Sequence, residues 1–382
     1  MSWNESSTRR LTVAALAALA ALAASALMAS GASAVSANGS AVIALANHDQ
    51  GRTLSGQGVK VVATTPASLT GTQLTVPVSA VELGSKPAAN LGGGFSFAAN
   101  GRSVAVTSPR VDVSSGALVG KVGGTELAIF RLGAAVNVNA GAGSVSLQKG
   151  SLRLTAEAAT LLQQKLGLER ALIHRGVGMI WVAAQANATQ VHRKVTGGAL
   201  QWGFLASWRE YVYKELGPFT VGSIVTEGGA TTVGNPAVAG SYFNFPTIGG
   251  SFLEGHYGAS TELTVHTEGT VKFAKPGHCI NEITLSNIVV HLGGATPSIV
   301  ANLGYNVGQF NGKGCIPQPP VYAPNTTIAT LNTSGTGPTV SGQTVTWGNV
   351  PATLTAAAAK PFEPQYKAGQ QLDPVTVTAA IG

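Results

Sequence analysis

Apolar and polar residues alternate strictly in many short segments of this chain, and glycines separate the segments. Clear examples are 74-LTVPVSAV-81, 103-SVAVTSPRVDV-113, 261-TELTVHTEGTVKF-273 and 283-ITLSNIVVHL-292. Side chains two residues apart point to the same face of a β-strand, so these segments predict strands with one buried face. Because 49 Gly and 18 Pro are available for turns, we predict a mainly β (α+β), sandwich-like fold with one or two short helices in each half.

The chain also contains a degenerate internal repeat. Segments 95–113 and 271–290 share Phe-Ala-x-x-Gly and then continue into alternating apolar positions. Segments 152–167 and 352–369 share Leu-Thr-Ala, a pattern in which the Thr caps the start of a short helix. Because the matches occur in the same order, they indicate two related halves.

We therefore predict two β-rich domains, at 35–185 and 198–382, joined by a linker at 186–197 that is polar and ends in Gly. All seven Tyr residues lie in the second domain. The alignment of the halves places Arg102 where the second half has His278. The first domain is expected to be a degenerate copy that lacks any tyrosine-based site.

The first 34 residues have the pattern of a secretory signal peptide. Arg9 and Arg10 precede an apolar Ala/Leu-rich run, and Ala32-Ser33-Ala34 provides an Ala-x-Ala cleavage site. A membrane anchor is the alternative, but the run is near the lower length limit for a span and ends in a cleavable motif. No Cys follows the site, which argues against a lipid anchor. We expect a secreted protein, extracellular or associated with the cell wall, with no transmembrane anchor.

The composition argues against two classes of function. Charged residues make up 10% of the chain, are dispersed, and give a net charge of +7, so no nucleic-acid-binding patch is expected. No Gly-rich phosphate loop follows a strand, no nucleophile-elbow motif is present, and the few acidic residues form no convincing catalytic pair. We do not expect an enzyme.

The chain has two cysteines, Cys279 and Cys315. An exported protein meets oxidising conditions, so we expect an intramolecular disulfide between them. A metal site is a poor alternative, because the nearest histidine, His278, is adjacent to Cys279 rather than at ligand spacing.

One segment, 201-QWGFLASWREYVYKELGP-218, interrupts the β pattern with aromatic residues at helical spacing. Its apolar residues fall on one stripe, which predicts a helix over 200–216 that ends at the Gly-Pro pair. Tyr211 shares an adjoining face with Phe204 and Trp208. Spacing alone indicates an amphipathic helix packed on a sheet, with Tyr211 half-buried and its hydroxyl group hydrogen-bonded.

The same segment carries the motif Trp-Gly-x-x-x-Ser-[Phe/Trp]-Arg-x-Tyr-Val at 202–212. Further landmarks follow in order: 243-FNFP-246, 268-EGTVKFAKPGH-278 and a closing segment at 362–375. Over about 198–380 the chain resembles the HtaA domain, a family of exported haem-binding modules from Gram-positive actinobacteria. The first half matches only the later part of this pattern.

The resemblance implies a ferric haem b site with a tyrosine as the axial iron ligand. Carried over residue by residue, Tyr211 is the ligand, His278 is the partner of its phenolate oxygen, and Tyr366 is a further pocket residue. Phenolate is a hard anionic donor that favours ferric iron. A nearby histidine can donate a hydrogen bond to it and offer a proton for release. Aromatic side chains are expected to cover the haem faces: Phe204, Trp208, Phe243, Phe245 and Phe362.

The expected function is therefore capture of ferric haem and its transfer for iron or haem uptake. The expected partners are haem itself, a haem-donor protein and a membrane haem-uptake receptor. Trp208 departs from the family, which usually has Phe at this place. The alternative function is a structural or adhesive cell-surface β protein in which Tyr211 belongs to a core; such a protein would be colourless, whereas a haem carrier would be red-brown.

Overall fold

The computed structural model describes residues 34–45, 54–170, 172, 176–215, 221–363 and 365–382. The predicted signal peptide, residues 1–34, lies outside these ranges apart from its last residue. The chain divides into two units, unit 1 ending at Asn187 and unit 2 beginning at Ala188. Within the described ranges, no helix has the length and apolar character needed to span a membrane.

Unit 1 is built mainly of antiparallel strands. Its described residues include one α-helix, α1 (Ala156–Leu166), and a 3-10 helix at Ser55–Gln57. Its strands are β1 (Val35–Leu45), β2 (Lys60–Thr64), β3 (Ser68–Thr70), β4 (Gln73–Glu82), β5 (Ala88–Leu91), β6 (Gly94–Ala99), β7 (Arg102–Asp112), β8 (Ala117–Val122), β9 (Thr125–Leu132), β10 (Asn137–Asn139), β11 (Ser144–Leu154) and β12 (Gly176–Ala186).

The strands of unit 1 form one 12-stranded sheet that closes on itself. The hydrogen-bonded order is β2-β6-β7-β5-β4-β1-β12-β11-β9-β8, with β3 beside β4 and β10 beside β11. Because β7 also pairs with β8, the strands from β7 to β8 in this order form a ring of eight. In a ring, the inward side chains of opposite strands share one core, which is how the predicted sandwich-like packing is achieved.

In unit 2 the described residues form two α-helices, α2 (Ala206–Tyr213) and α3 (Ala356–Ala359), and 3-10 helices at Pro276–His278 and Lys360–Phe362. Its strands are β13 (Thr189–Trp202), β14 (Ser223–Glu227), β15 (Thr231–Val233), β16 (Tyr242–His256), β17 (Glu262–Thr267), β18 (Thr270–Lys275), β19 (Ile280–Gly293), β20 (Ser298–Val307), β21 (Gln309–Phe310), β22 (Cys315–Ile316), β23 (Val321–Leu331), β24 (Thr339–Ser341), β25 (Thr344–Leu354) and β26 (Gln371–Ile381).

Unit 2 repeats the topology of unit 1 strand for strand. Its order is β14-β18-β19-β17-β16-β13-β26-β25-β23-β20, with β15 beside β16, β24 beside β25 and a closing pair between β19 and β20. The short strands β21 and β22 form a separate hairpin. The predicted mainly β class is confirmed, and the degenerate repeat is present as a shared topology.

The helix starts predicted at the two Leu-Thr-Ala segments are present in both units. Oγ1 of Thr155 and Oγ1 of Thr355 each accept a hydrogen bond from the backbone N–H three residues on. In unit 2 the α-helix stops after one turn because Pro361, which has no N–H, follows in the 3-10 helix Lys360–Phe362. α1 has no such proline and runs for 11 residues.

The predicted linker at 186–197 is wrong for most of its length. β13 begins at Thr189 and pairs with β16 from that residue onward, so only 187–188 lie between β12 and β13. The glycines that suggested a loop instead mark a β-bulge, where the register between β13 and β26 shifts. A Cβ atom on Gly198 would collide with the backbone oxygen of Thr378, which explains the glycine.

The predicted helix at 200–216 is shorter than expected. Leu200 belongs to β13, where it pairs with Phe245 on one side and Val377 on the other, and it is fully buried. Strand pairing therefore overrides helical spacing at this end, and α2 begins only at Ala206. The Gly-Pro stop signal lies outside the described residues.

One turn differs between the units. In unit 1, Asn100-Gly101 joins β6 to β7 with φ of 54° and 71°, as a tight two-residue hairpin turn requires. In unit 2, residues 276–279 join β18 to β19. Arg102 is therefore the equivalent of Ile280, the first residue of β19, and not of His278 as the sequence alignment predicted.

Candidate functional site

Tyr211 and His278 are in direct contact in unit 2. Tyr211 lies in the last turn of α2, and His278 ends the 3-10 helix between β18 and β19. The Tyr211 Oη atom is 2.7 Å from His278 Nδ1, a hydrogen-bond distance, and the planes of the two rings make an angle of 84°. Both side chains are half-buried. The structure thus brings together the two residues that were predicted as ligand and partner.

A buried arginine holds α2 in place. Arg209 is 0% exposed, and its guanidinium donates to the backbone oxygens of Gly203, Pro236 and Ser241. It also forms an ion pair with Asp373, in which Nη1 is 2.5 Å from Oδ2. Burial of a cation is costly, and here both the ion pair and the hydrogen bonds offset that cost. The helix is consequently fixed to three other segments of unit 2.

Asp373 on β26 caps the N-terminus of α2, because the residue at the N-cap position of this helix cannot do so. Leu205 stands at the N-cap position and offers no side-chain acceptor, so the N–H of Ala206 donates instead to Asp373 Oδ1 at 3.0 Å. Trp202 Nε1 donates to the backbone oxygen of Asp373 at 3.1 Å. A Cβ atom on Gly203 would collide with Asp373 Oδ2. The Trp-Gly and Arg positions of the motif are therefore structural.

A buried lysine caps the other end of α2. Lys275 is 0% exposed, and its Nζ atom donates to the backbone oxygens of Val212 at 3.0 Å and Lys214 at 2.7 Å. The same Nζ lies over the Tyr211 ring, 5.2 Å from its centroid. One cation thus satisfies C-terminal helix carbonyls and makes a cation–π contact with the tyrosine.

Aromatic rings pack beneath Tyr211. The Trp208 ring centroid lies 5.5 Å from that of Tyr211, 5.9 Å from that of Tyr366 and 5.1 Å from that of Phe362. Phe204 packs on Phe362 at 4.9 Å. Trp208, Phe204 and Phe362 are buried, whereas Tyr211 and Tyr366 are half-buried at the edge of this cluster. The two tyrosines are therefore supported from below by three core rings.

Phe243 and Phe245 lie deeper in the core. Both face inward on β16, where they are 1% and 0% exposed, and Phe243 packs on Phe273 at 5.9 Å. All five aromatic residues predicted to cover a haem are thus core residues in this structure. Alternate side chains of a strand point to the same face, so Phe243 and Phe245 are buried together.

Tyr366 reaches the site because the helix before it is interrupted. In unit 1 the equivalent position, Leu166, ends the uninterrupted helix α1 and is 0% exposed. In unit 2 the α-helix ends at Ala359, just before Pro361, and the Tyr366 N–H donates to the backbone oxygen of Phe362 at 3.1 Å. A proline thus accounts for the different exposure of two equivalent positions.

The predicted disulfide is confirmed, and it fixes the turn that carries His278. Cys279 and Cys315 are bonded, with their Cα atoms 5.2 Å apart. Cys279 has a left-handed backbone, with φ of 63°, and its carbonyl accepts a hydrogen bond from the N–H of Gly308 at 2.7 Å. The bridge and this hydrogen bond tie the turn to the hairpin of β21 and β22.

Burial sets the protonation of the pair. It raises the pKa of Tyr211 above the ordinary value of 10.0; a hydrogen bond from the Gln365 side chain opposes the rise, and Tyr366 adds to it. Burial lowers the pKa of His278 below 6.5, and the charge of Lys275 lowers it further. At neutral pH the phenol is therefore protonated and the imidazole neutral, so Tyr211 O–H can donate to His278 Nδ1.

Sequence reasoning missed two side chains that act on Tyr211. They are Lys275 and Gln365. The sequence does indicate that Lys275 is buried, because it lies two and four residues after the inward-facing Phe273 and Val271 on β18. Gln365 follows the last 3-10 helix in an irregular segment, where no periodicity indicates the direction of a side chain.

The fold and the site define a class of protein: a closed antiparallel β unit that presents a hydrogen-bonded tyrosine–histidine pair on a short helix and a turn. Residues 197–378, which make up most of unit 2, match the family model HtaA, described as Htaa. The resemblance predicted over about 198–380 is confirmed.

Similar solved structures come from Corynebacterium glutamicum. The C-terminal domain of HtaA is 21% identical, with a TM-score of 0.37, and the match covers 50% of this chain and 99% of that one. Heme binding protein HtaB is 16% identical, with a TM-score of 0.37 and coverage of 51% and 98%. The N-terminal domain of HtaA is 22% identical, with a TM-score of 0.36 and coverage of 49% and 98%. No curated protein matches the chain in sequence.

Proposed function

We propose that unit 2 binds ferric haem b, with the Tyr211 phenolate as axial iron ligand and His278 as the hydrogen-bonding partner of the ligating oxygen. The observation that carries this proposal is the 2.7 Å contact between Tyr211 Oη and His278 Nδ1. The match of residues 197–378 to the HtaA family model supports it.

The donor set fits an iron atom that a macrocycle already holds. Within the described residues, no group of three or more His, Cys, Asp or Glu side chains is arranged to hold a metal ion. A bare ion would need several protein ligands, whereas iron in a porphyrin needs only an axial donor. Tyr211 offers one oxygen for that role, and Tyr366 beside it offers further aromatic surface for an apolar ring.

His278 is placed to handle the phenol proton. Ferric iron, when bound, stabilises the phenolate form of a coordinating tyrosine. The proton that leaves Tyr211 Oη has an acceptor at hydrogen-bond distance, His278 Nδ1, because the lowered pKa keeps this imidazole neutral at pH 7. The protonated Nδ1 then donates a hydrogen bond to the phenolate oxygen. Return of the proton to Oη weakens the ligand and provides a route to release.

This chemistry suits a carrier that holds haem and later releases it, rather than an enzyme. The predicted signal peptide and the confirmed disulfide support a place outside the cell membrane, secreted or associated with the cell wall. In that place the protein would take haem from a donor protein and pass it to a membrane uptake receptor. Iron acquisition is the proposed outcome.

Ferric haem is expected to bind to residues 188–382 and not, in the same mode, to residues 34–187. Each unit has its own closed sheet, so the two can be produced separately and titrated with ferric haem by absorbance. Unit 1 contains no tyrosine, and a tight turn replaces the segment that carries His278. A tyrosinate spectrum from both units would contradict the proposal, and a colourless unit 2 would favour an adhesive protein instead.

Replacement of His278 by Ala is expected to make haem affinity depend on pH across the neutral range. In the native protein the phenol proton moves to Nδ1, so no proton is released and affinity should be nearly constant around pH 7 to 9. Affinity should fall as the pH drops below the lowered pKa of His278, because Nδ1 is then already protonated. Without His278 the proton goes to solvent, so affinity should fall by up to about tenfold per pH unit as pH decreases.

Equilibrium titrations of both proteins at a series of pH values measure this difference. At pH 7 the His278→Ala variant should bind about 10- to 100-fold more weakly, the typical effect of removing a group that supports a metal ligand. His266→Ala is a matched control, because His266 is an exposed residue of β17. Parallel pH profiles for the native protein and His278→Ala would show that His278 does not take the proton.

A further inference from the structure

Lys275 is a buried cation without a carboxylate partner. It is 0% exposed, and in the described part of the chain no Asp or Glu oxygen lies within ion-pair distance of its Nζ atom. Its two hydrogen bonds go to backbone carbonyls, of Val212 and Lys214, which are dipoles and not anions. Arg209, the other fully buried cation of unit 2, does have a carboxylate, Asp373. Burial of a charge without a counter-charge is costly, so the placement of Lys275 requires an explanation.

The closed sheet itself does not need this cation. In unit 1 the position equivalent to Lys275 is Ala99, the last residue of β6, just as Lys275 is the last residue of β18. Unit 1 nevertheless has the same strand order and the same ring closure. Unit 1 also has no tyrosine. Within this one chain, the buried lysine occurs in the unit that has Tyr211 and is missing from the unit that does not.

The group that faces Lys275 is the Tyr211 ring. Nζ lies over it at 5.2 Å from the centroid, and the ring is held there between Trp208 on one side and His278 at the hydroxyl end. Loss of the phenol proton puts a negative charge on the oxygen and makes the ring richer in electrons. Both changes strengthen the attraction to an ammonium group at this distance.

We propose that Lys275 is the counter-cation of the Tyr211 phenolate and so a positioning residue for haem ligation. This inference rests on the proposed function, since the phenolate forms when Tyr211 ligates ferric iron. The charge of Lys275 stabilises the anionic ligand from the face of the ring over which it lies, while His278 acts on the oxygen itself. Among the described residues, the groups that face the phenol are a cation over the ring, an imidazole and the Gln365 side chain at the oxygen, and Tyr366 beside it.

The test uses the full chain with Lys275→Gln, which removes the charge but keeps a donor for the helix carbonyls. Each protein is titrated with ferric haem and with metal-free protoporphyrin, which offers the same ring without a metal to ligate. We expect affinity for ferric haem to fall by about tenfold or more, and affinity for the metal-free ring to stay unchanged. We also expect the tyrosinate charge-transfer band to move to lower energy and the iron midpoint potential to fall, because the anion has lost its cation.

Lys275→Arg should restore the haem affinity and the band, because it restores the charge. Lys272→Met is the matched control: Lys272 lies on the same strand, pairs with Glu227 on the outer face, and should change none of these values. Melting of each haem-free protein reports the helix-capping role separately. If Lys275→Gln lowers the affinity for both rings equally, or leaves the haem affinity, band and potential unchanged, the inference is wrong. If the native protein shows no tyrosinate band, the proposed function fails instead.

Should Lys275→Gln fail to fold, Lys275→Met, which fills the same space with an apolar chain, replaces it in the same titrations. Failure of both neutral variants to fold while Lys275→Arg folds would show that the charge serves the fold, and this result would overturn the inference.

Discussion

Tyr211→Phe is expected to abolish the tyrosinate mode of haem binding while the fold stays intact. Phe keeps the ring that packs on Trp208 at 5.5 Å and lies under Lys275, and it removes only the Oη atom. The ferric charge-transfer absorption should disappear. Affinity should fall by more than the roughly 100-fold that marks the upper range for supporting groups, because the ligand itself is lost. Absorbance titration with ferric haem measures both effects.

Two further variants separate ligation from packing. Tyr211→Ala removes the ring as well as the oxygen. If Tyr211→Phe retains some haem affinity and Tyr211→Ala does not, the difference measures the contact between haem and the ring face. Tyr213→Phe is the matched control, because Tyr213 lies on the same helix and its hydroxyl donates weakly to the Ile224 backbone oxygen at 3.5 Å. It should bind haem like the native protein. A native spectrum from Tyr211→Phe would mean that Tyr211 is not the ligand.

Arg209→Met is expected to destabilise unit 2 by about 3–5 kcal/mol, the usual effect of removing one partner of a buried ion pair. The change leaves Asp373 without its cation and leaves the backbone oxygens of Gly203, Pro236 and Ser241 without their donor. Since these contacts hold α2, haem binding should weaken together with stability. Denaturant unfolding of the isolated unit 2, followed by far-UV circular dichroism, measures the loss.

Arg193→Met provides the comparison for this variant. Arg193 pairs with Glu254 at 3.0 Å, but its side chain is 38% exposed. Exposed pairs contribute about 0–1 kcal/mol, so this variant should be nearly as stable as the native protein. Equal losses from the two substitutions would show that the buried network around Arg209 is not what holds α2.

Local patterns predicted the strands and the repeat well, because period-two alternation directly reflects which face of a strand is buried. The same logic failed where a residue satisfied two patterns at once. Leu200 fits a helical stripe, but its partners Phe245 and Val377 are distant in sequence, and their pairing decided in favour of a strand. The bulge between Val195 and Gly197 lies in the segment predicted as a linker, because glycines are typical of loops and the pairing of this segment with β26 is not visible in its local sequence.

The tyrosine–histidine contact was predicted from the resemblance and could not have been obtained from spacing, since the residues are 67 positions apart. The network that aims Tyr211 was not predicted. Asp373 caps α2 from 167 positions away, and nothing in the local sequence of either segment indicates this pairing. Lys275 is in step with the inward-facing residues of β18, which indicates burial. Lysine side chains are usually exposed, however, so the residue type alone predicts the opposite.

The turn between β18 and β19 has a consequence for how such proteins can evolve. Residues 276–279 in unit 2 take the place of Asn100-Gly101 in unit 1, and the strand order around them is the same. Exposed turns accept insertions because the strand ladders beside them need not move. Gaining or losing the histidine therefore requires an insertion or deletion in one turn and no new sheet. The same strand order in unit 1 could therefore accept a longer turn and an aromatic helix, which would place a second tyrosine–histidine pair in the chain.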